Sequence, residues 1–321
     1  MRRSAIVWVL LPCAFVACSS STTAPHLPVG DGGVDTGTGS SLDAAQGDST
    51  TATASDAGDA GDAGGSYAGG LQYLFCDIKR PLAGVDSMNL DENNYQVIVN
   101  GLKSGLGCNG VRIYIDPDIA DPTSYPSLYT DVLEYVRSLG LSVYANPLGT
   151  GTFGMSNAQF AGWVVAYANQ FRPDFLGAFN ESGLGATDLE SIAQQVKAGL
   201  SYAPNLVGPD AQKVAGSLVL AETPGLPGYF AVFGSHNANG DQGATTEAWQ
   251  GLEQAAGRLT WSSENPRGWS VLNDAGVEIG VKAVVAAPIS GLVLYEAFPA
   301  SVAADGGLTA MGQGIAAGVL R

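Results

Sequence analysis

The chain reads as an α/β protein of the (β/α)8, or TIM-barrel, class, and three observations carry that reading. From Leu71 onward short apolar runs alternate with segments of helical period, and eight runs can be counted. About 250 residues are left for one alternating unit, the length expected of one barrel around one core. Polar residues gather at the C-terminal ends of the runs, where a parallel barrel collects its functional side chains at one mouth.

The predicted strands are Leu71–Ile78, Gly110–Asp116, Leu141–Leu148, Phe175–Ser182, Asn205–Ala211, Phe230–Asn237, Arg258–Asn265 and Gly291–Phe298. Each is short, apolar and bounded by turn formers. The predicted helices between and after them are Asp91–Leu106, Tyr125–Leu139, Ser156–Phe171, Thr187–Ala203, Ala211–Glu222, Thr245–Gly257, Ser270–Ala287 and Thr309–Leu320. Leu128, Val132, Tyr135, Val136 and Leu139 recur at three and four spacing, with Gly140 where a helix stop belongs.

Two segments precede this unit. Arg2 and Arg3 lead an apolar stretch from Ala5 to Ala17, too short to span a bilayer, so residues 1–18 are expected to be an export signal. Phe15-Val16-Ala17-Cys18 resembles a bacterial lipobox, which implies lipidation at Cys18, membrane attachment through that lipid, and placement in the bacterial cell envelope; ordinary cleavage and secretion is the other outcome. Residues 19–70 are mostly Ser, Thr, Gly, Ala and Asp and cannot bury enough apolar surface to offset ordering, so a disordered tether is expected there. The barrel then occupies 71–321.

The net charge of −16 excludes one class of partner: an acidic surface repels phosphate backbones, and nucleic acid is not expected to bind. Neutral polymers remain, and the protein is expected to act as a monomer. Cys76 and Cys108 fall near the first two strands and are either joined by a disulfide or buried as free thiols. No metal site is expected, because His236 is the one histidine outside the tether.

The residues expected at the mouth carry the chemistry. Asp77, Lys79 and Arg80 follow the first strand; Arg112, Tyr114 and Asp116 lie on the second, Asn146 on the third, and Asn180 and Glu181 on the fourth. Asp210 ends the fifth, His236 and Asn237 the sixth, Glu264 the seventh, and Tyr295 and Glu296 the eighth. Glu181 and Glu264 end apolar runs on strands that face each other across a barrel. Cleaving a glycosidic bond requires one carboxylic acid to protonate the leaving oxygen and one carboxylate to attack or to activate water.

Asn180-Glu181 after a fourth strand, Glu264 after Trp261 and two serines on a seventh, and Arg112 on a second resemble glycoside hydrolase clan A, loosely the branch around families thirty and thirty-nine. The resemblance implies a retaining mechanism and an assignment of roles: Glu181 as acid/base, Glu264 as nucleophile, Asn180 on the sugar 2-hydroxyl, and Arg112 paired with the nucleophile. It further implies a β-linked polysaccharide or oligosaccharide as substrate, endo action, and no cofactor; His236 would fill the sixth-strand role. Tyr295-Glu296 stands where many members carry tryptophan. Asn146, Asn237, Tyr295 and Trp269 are further candidates for binding sugar, Trp269 by stacking. A barrel that binds carbohydrate without turnover is the alternative.

Three weaker motifs compete. Gly149-Thr-Gly-Thr-Phe-Gly154 with Asp174 matches a dinucleotide fingerprint, but Asp174 opens the next strand instead of ending it. A Ser-His-Asp hydrolase lacks a nucleophile elbow, and Asp116, Asp118 and Asp121 lack a calcium-loop pattern.

Overall fold

A computed structural model describes residues 70–78, 90–147, 151–181, 183–236, 244–265 and 273–320. Strands β1 (Tyr73–Ile78), β2 (Gly110–Ile115), β3 (Ser142–Pro147), β4 (Phe175–Gly177), β5 (Asn205–Ala211), β6 (Val232–His236), β7 (Leu259–Asn265) and β8 (Gly291–Glu296) form one closed barrel in sequence order. Every neighbouring pair is parallel, and β8 closes on β1 through Tyr73–Gly291 to Cys76–Leu294. Around it run α1 (Tyr95–Asn100), α2 (Ser127–Ser138), α3 (Asn157–Phe171), α4 (Ala186–Gly199), α5 (Val214–Ala221), α6 (Thr246–Ala256), α7 (Asp274–Val285), the short α8 (Ala297–Ala300) and α9 (Ala310–Val319).

Local chemistry sets the helix ends. Ser156 and Gln159 form a reciprocal capping box at the start of α3. Thr245, Asn273 and Thr309 accept from the backbone amides of Ala248, Gly276 and Gly312, starting α6, α7 and α9. The expected first helix, Asp91–Leu106, is shorter: it begins at Tyr95 and relaxes into a π-helical turn over Gly101–Gly105. Gly101 lies where a Cβ would stand 2.4 Å from the carbonyl oxygen of Gly306, so the chain comes in closer there than a side chain allows. The expected fifth helix, from Ala211, starts at Val214 because β5 runs on through Ala211.

The barrel interior is filled by Phe75, Tyr144, Phe175, Val207, Val232, Trp261 and Val293, with Tyr73 against them. Ring centroids of Phe175 and Phe75 lie 4.8 and 5.2 Å from that of Trp261. Two neighbouring strands make room with glycine. A Cβ on Gly110 would come 2.2 Å from the Phe75 ring, and one on Gly291 would come 2.4 Å from Trp261. Large side chains on some strands against none on their neighbours pack the interior as a solid floor; burying one such side chain is worth about 3 kcal/mol. The opposite strand faces, Leu74, Cys76, Ile78, Ile113 and Leu292 among them, meet the helices in the outer core. Cys76 and Cys108 are joined by a disulfide, their Cα atoms 6.0 Å apart.

Candidate active site

The floor ends in a layer of buried polar groups under the mouth. Asp77, Arg112, Asn146, Asp210 and Ser263 are fully buried, and His236 nearly so. Strict alternation would turn Asp210 and Glu264 away from the interior, since Pro209 and Ser263 take the inward positions beside them. Pairing slips between Pro209 and Ala211 on β5, and β7 skips Ser263 so that His236 pairs with Glu264. Such bulges re-aim a side chain. Here both bring an acid into the barrel.

Arg112 reaches across the barrel. Its Nη1 donates to Oε2 of Glu264 at 3.2 Å and to the carbonyl of Ser263 at 3.1 Å. Its Nη2 donates to Oδ2 of Asp77 at 2.8 Å and to the hydroxyl of Tyr114 at 2.6 Å, and Tyr114 in turn donates to Asp77 at 2.9 Å. The guanidinium carbon lies 4.9 Å from the Tyr114 ring centroid and 5.6 Å from that of Tyr295. Burial lifts the Asp77 carboxyl above its ordinary value, against the pull of Arg112. Burial and the hydrogen bond to Glu296 push the Tyr295 phenol well up, so it stays a donor.

Glu181 lies past the end of its strand. The fourth strand was expected to run to Ser182, but it ends at Gly177, and Asn180 and Glu181 sit on the loop beyond it. Glu181 adopts a left-handed backbone, φ 46°, and its amide donates to the carbonyl of Asp210 at 3.0 Å. Oε1 of Glu181 lies 2.9 Å from Nδ1 of His236, close enough to share a proton, and the same nitrogen is 3.9 Å from Oε2 of Glu264. Nδ2 of Asn146 donates to Oδ1 of Asn180 at 3.1 Å, which turns the Asn180 amide beside Glu181. Donor atoms of Glu181, His236 and Glu264 all fall within 4.8 Å of one another. They are the described acids and imidazole near enough to face one cation, although two of the three are already hydrogen-bonded to each other.

The structure therefore brings together Glu181, Glu264, Arg112, Asn146, Asn180, His236 and Tyr295. Asn237, Trp269 and Cys18 lie outside the described residues, as do Lys79 and Arg80. Trp261, near Glu264 in sequence, belongs to the floor beneath it. The competing motifs have structural work: Asp174 accepts from the amide of Val143, Asp116 from that of Asp118, and Asp121 caps the turn at Thr123. Of the loop from Gly149 to Gly154, residues 151–154 are described, as turn.

Sequence reasoning placed Asp77, Tyr114 and Asp210 at the mouth but gave the two acids no role and offered Tyr114 only as a ring to stack on sugar. Their signal was available in part. Asp77 and Tyr114 continue the inward alternation of Tyr73, Phe75 and Arg112, so a charged or phenolic group there must meet a partner.

A parallel eight-stranded barrel with paired carboxylates at its C-terminal mouth is the architecture of many sugar-cleaving enzymes. Neither a family model nor a curated protein matches the sequence. Solved structures do match. A GH30 endoxylanase from Clostridium papyrosolvens superposes with a TM-score of 0.58 at 13% identity, covering 79% of this chain and 72% of that one. A glucosidase from Croceicoccus marinus gives 0.52 at 14% identity, covering 78% and 68%. The GH113 β-mannanase of Alicyclobacillus acidocaldarius gives 0.51 at 12% identity, covering 78% and 95%. These neighbours are clan A glycoside hydrolases, the clan the sequence resembles, and GH30 is among them. At such identities the likeness establishes the fold.

Proposed function

We propose that the protein is a retaining glycoside hydrolase that cleaves a β-linked polysaccharide by double displacement. The observation that carries this reading is the pairing of Glu181 and Glu264, with carboxylate oxygens within 4.8 Å of each other. Retaining enzymes hold their carboxyl groups about 5 to 5.5 Å apart, whereas inverting enzymes leave room for a water, about 6.5 to 9.5 Å. Glu264 attacks the anomeric carbon through Oε1 while Arg112 holds Oε2. Glu181 protonates the departing oxygen, then removes a proton from the water that releases the sugar. Asn180, oriented by Asn146, meets the sugar beside the reacting carbon. Tyr295, with its proton retained, donates toward the ring. No metal or organic cofactor takes part in these steps.

The test is release of reducing sugar from xylan, mannan, galactan and β-glucan, measured with EDTA present. Turnover of at least one polymer is expected, with the anomeric configuration of the first product retained by NMR. Binding of a polymer without release would leave a carbohydrate-binding barrel instead, and an inverted product would remove the double displacement.

The lipobox supports a second proposal, that the barrel is tethered to a bacterial membrane through Cys18. Full-length protein expressed in a bacterial host is expected in the membrane fraction, and Cys18→Ser in the soluble fraction. Equal partition of the two would sink the anchor.

A further inference from the structure

Asp210 is a fully buried carboxylate to which the double displacement assigns no step. Several features converge on it. It is the extra residue of the β5 bulge and takes a left-handed backbone, φ 52°, directly beside Glu181 at φ 46°. Its carbonyl accepts the Glu181 amide at 3.0 Å. Its Oδ2 accepts from the hydroxyl of Tyr144, itself buried, at 2.9 Å. Its Oδ1 occupies the place a side chain on β6 would fill, 1.9 Å from where a Cβ on Gly234 would stand and two residues before His236. His236 Nε2 is buried and finds no hydrogen-bond partner among the described residues, and Asp210 Oδ1, buried too, has the Ser263 hydroxyl beside it.

Resting on the glycosidase reading, we propose that Asp210 is a positioning residue for the acid/base: its carbonyl sets the Glu181 backbone, and its carboxylate sets the His236 ring so that Nδ1 faces Oε1 of Glu181. The groups facing Asp210 are Tyr144 from β3, Ser263 from β7, His236 from β6 and, farther off, Arg112 from β2. Those facing the His236 nitrogen are Glu181 and Glu264. With the ring set in this way, Nδ1 of His236 stays turned to Oε1 of Glu181 while Glu181 gives its proton to the leaving oxygen. Glu181 then regains a proton from water, and His236 ends as it began. Burial raises the Asp210 carboxyl, while His236, Ser263 and Tyr144 pull it back. A carboxyl held high contributes stability that is full below its unfolded value and lost as pH rises through its folded one. Ionising this carboxyl in the fold therefore costs stability.

Asp210→Asn tests this, since asparagine tolerates the left-handed backbone and keeps an acceptor for Tyr144. On the polysaccharide that the wild type cleaves, kcat is expected to fall at least about tenfold with KM changed less than about twofold. On the 2,4-dinitrophenyl β-glycoside of the same sugar, whose leaving group needs no proton, the loss in kcat/KM should stay under about threefold. At pH 7 the variant should melt no lower than the wild type, and any gain should shrink as the pH falls toward 4. Tyr144→Phe, which removes a hydrogen bond to Asp210 and leaves its charge, should lower polysaccharide turnover in the same selective way but less.

Equal losses on both substrates, or a lower melting temperature with unchanged turnover per folded molecule, would reduce Asp210 to a structural residue and overturn the proposal. The ring nitrogens of His236, read by 15N NMR in a His26→Gln background that leaves one histidine, give an answer independent of activity. Asp210→Asn should change their tautomer or protonation at fixed pH, and unchanged resonances would equally overturn it. If the wild type cleaves no polymer, the glycosidase reading has failed in its own assay while the NMR still decides the link from Asp210 to His236.

Discussion

Glu264→Gln is expected to lower polysaccharide turnover about ten-thousandfold or more, roughly 5.5 kcal/mol of lost transition-state stabilisation. The amide cannot form the glycosyl ester, and its NH2 group, if turned toward Arg112, meets a cation where Oε2 had accepted two hydrogen bonds. No change of leaving group repairs a missing nucleophile, so dinitrophenyl glycosides should fail equally. Glu181→Gln should behave differently. Losing a general acid costs about a hundred- to ten-thousandfold on a polysaccharide, but attack on a dinitrophenyl glycoside should survive and stall at the glycosyl-enzyme, visible as a burst. Azide added to Glu181→Ala should release a β-glycosyl azide, because the small anion reaches the intermediate without a base. A burst and a β-glycosyl azide from the Glu264 variant instead would exchange the two roles.

How much of this was legible in the chain varies by level. The barrel was readable because its period survives in the sequence: strand runs and helix stripes alternate, and caps such as Ser156 with Gln159 and Thr245 stand where the structure uses them. The two glutamates were readable as ends of apolar runs. Their directions were not. Glu264 and Asp210 point inward only because β7 and β5 each carry a bulge, and a bulge is a pairing event between strands that leaves no local mark on composition. The short fourth strand was hidden for the same reason: Ala178 and Phe179 are as apolar as strand residues, yet the chain leaves the ladder after Gly177. Asp77 was visible as an inward charge, but its partner lies 35 positions on, beside it on the neighbouring strand, and periodicity along one strand does not give the register between two. Gly110 and Gly291 resemble ordinary turn glycines until Phe75 and Trp261 are set against them.

That hidden partner makes Arg112 the residue whose loss should cost the most stability. Arg112 and Asp77 are both fully buried at 2.8 Å, and the guanidinium also holds Tyr114, the Ser263 carbonyl and Glu264. Arg112→Met keeps much of the side-chain volume but strands Asp77 without the cation it pairs with, and breaking a buried pair from one side costs about 3 to 5 kcal/mol. For a barrel of this size that is roughly a 10 °C fall in melting temperature. The sign also depends on pH. Because Asp77 already sits above its ordinary carboxyl value through burial, removing Arg112 raises it further, so the variant's deficit should be largest at neutral pH and shrink as the pH falls and the buried carboxyl takes up its proton. Asp77→Asn combined with Arg112→Met removes the stranded charge and should recover most of the lost stability, since neutral groups of similar shape replace a buried pair at little net cost. Activity should stay absent in the double variant, because Glu264 has still lost the cation that orients it. Stability that returns without turnover would separate the two duties of Arg112, whereas a single variant melting within about 2 °C of the wild type would show that the barrel does not depend on the pair.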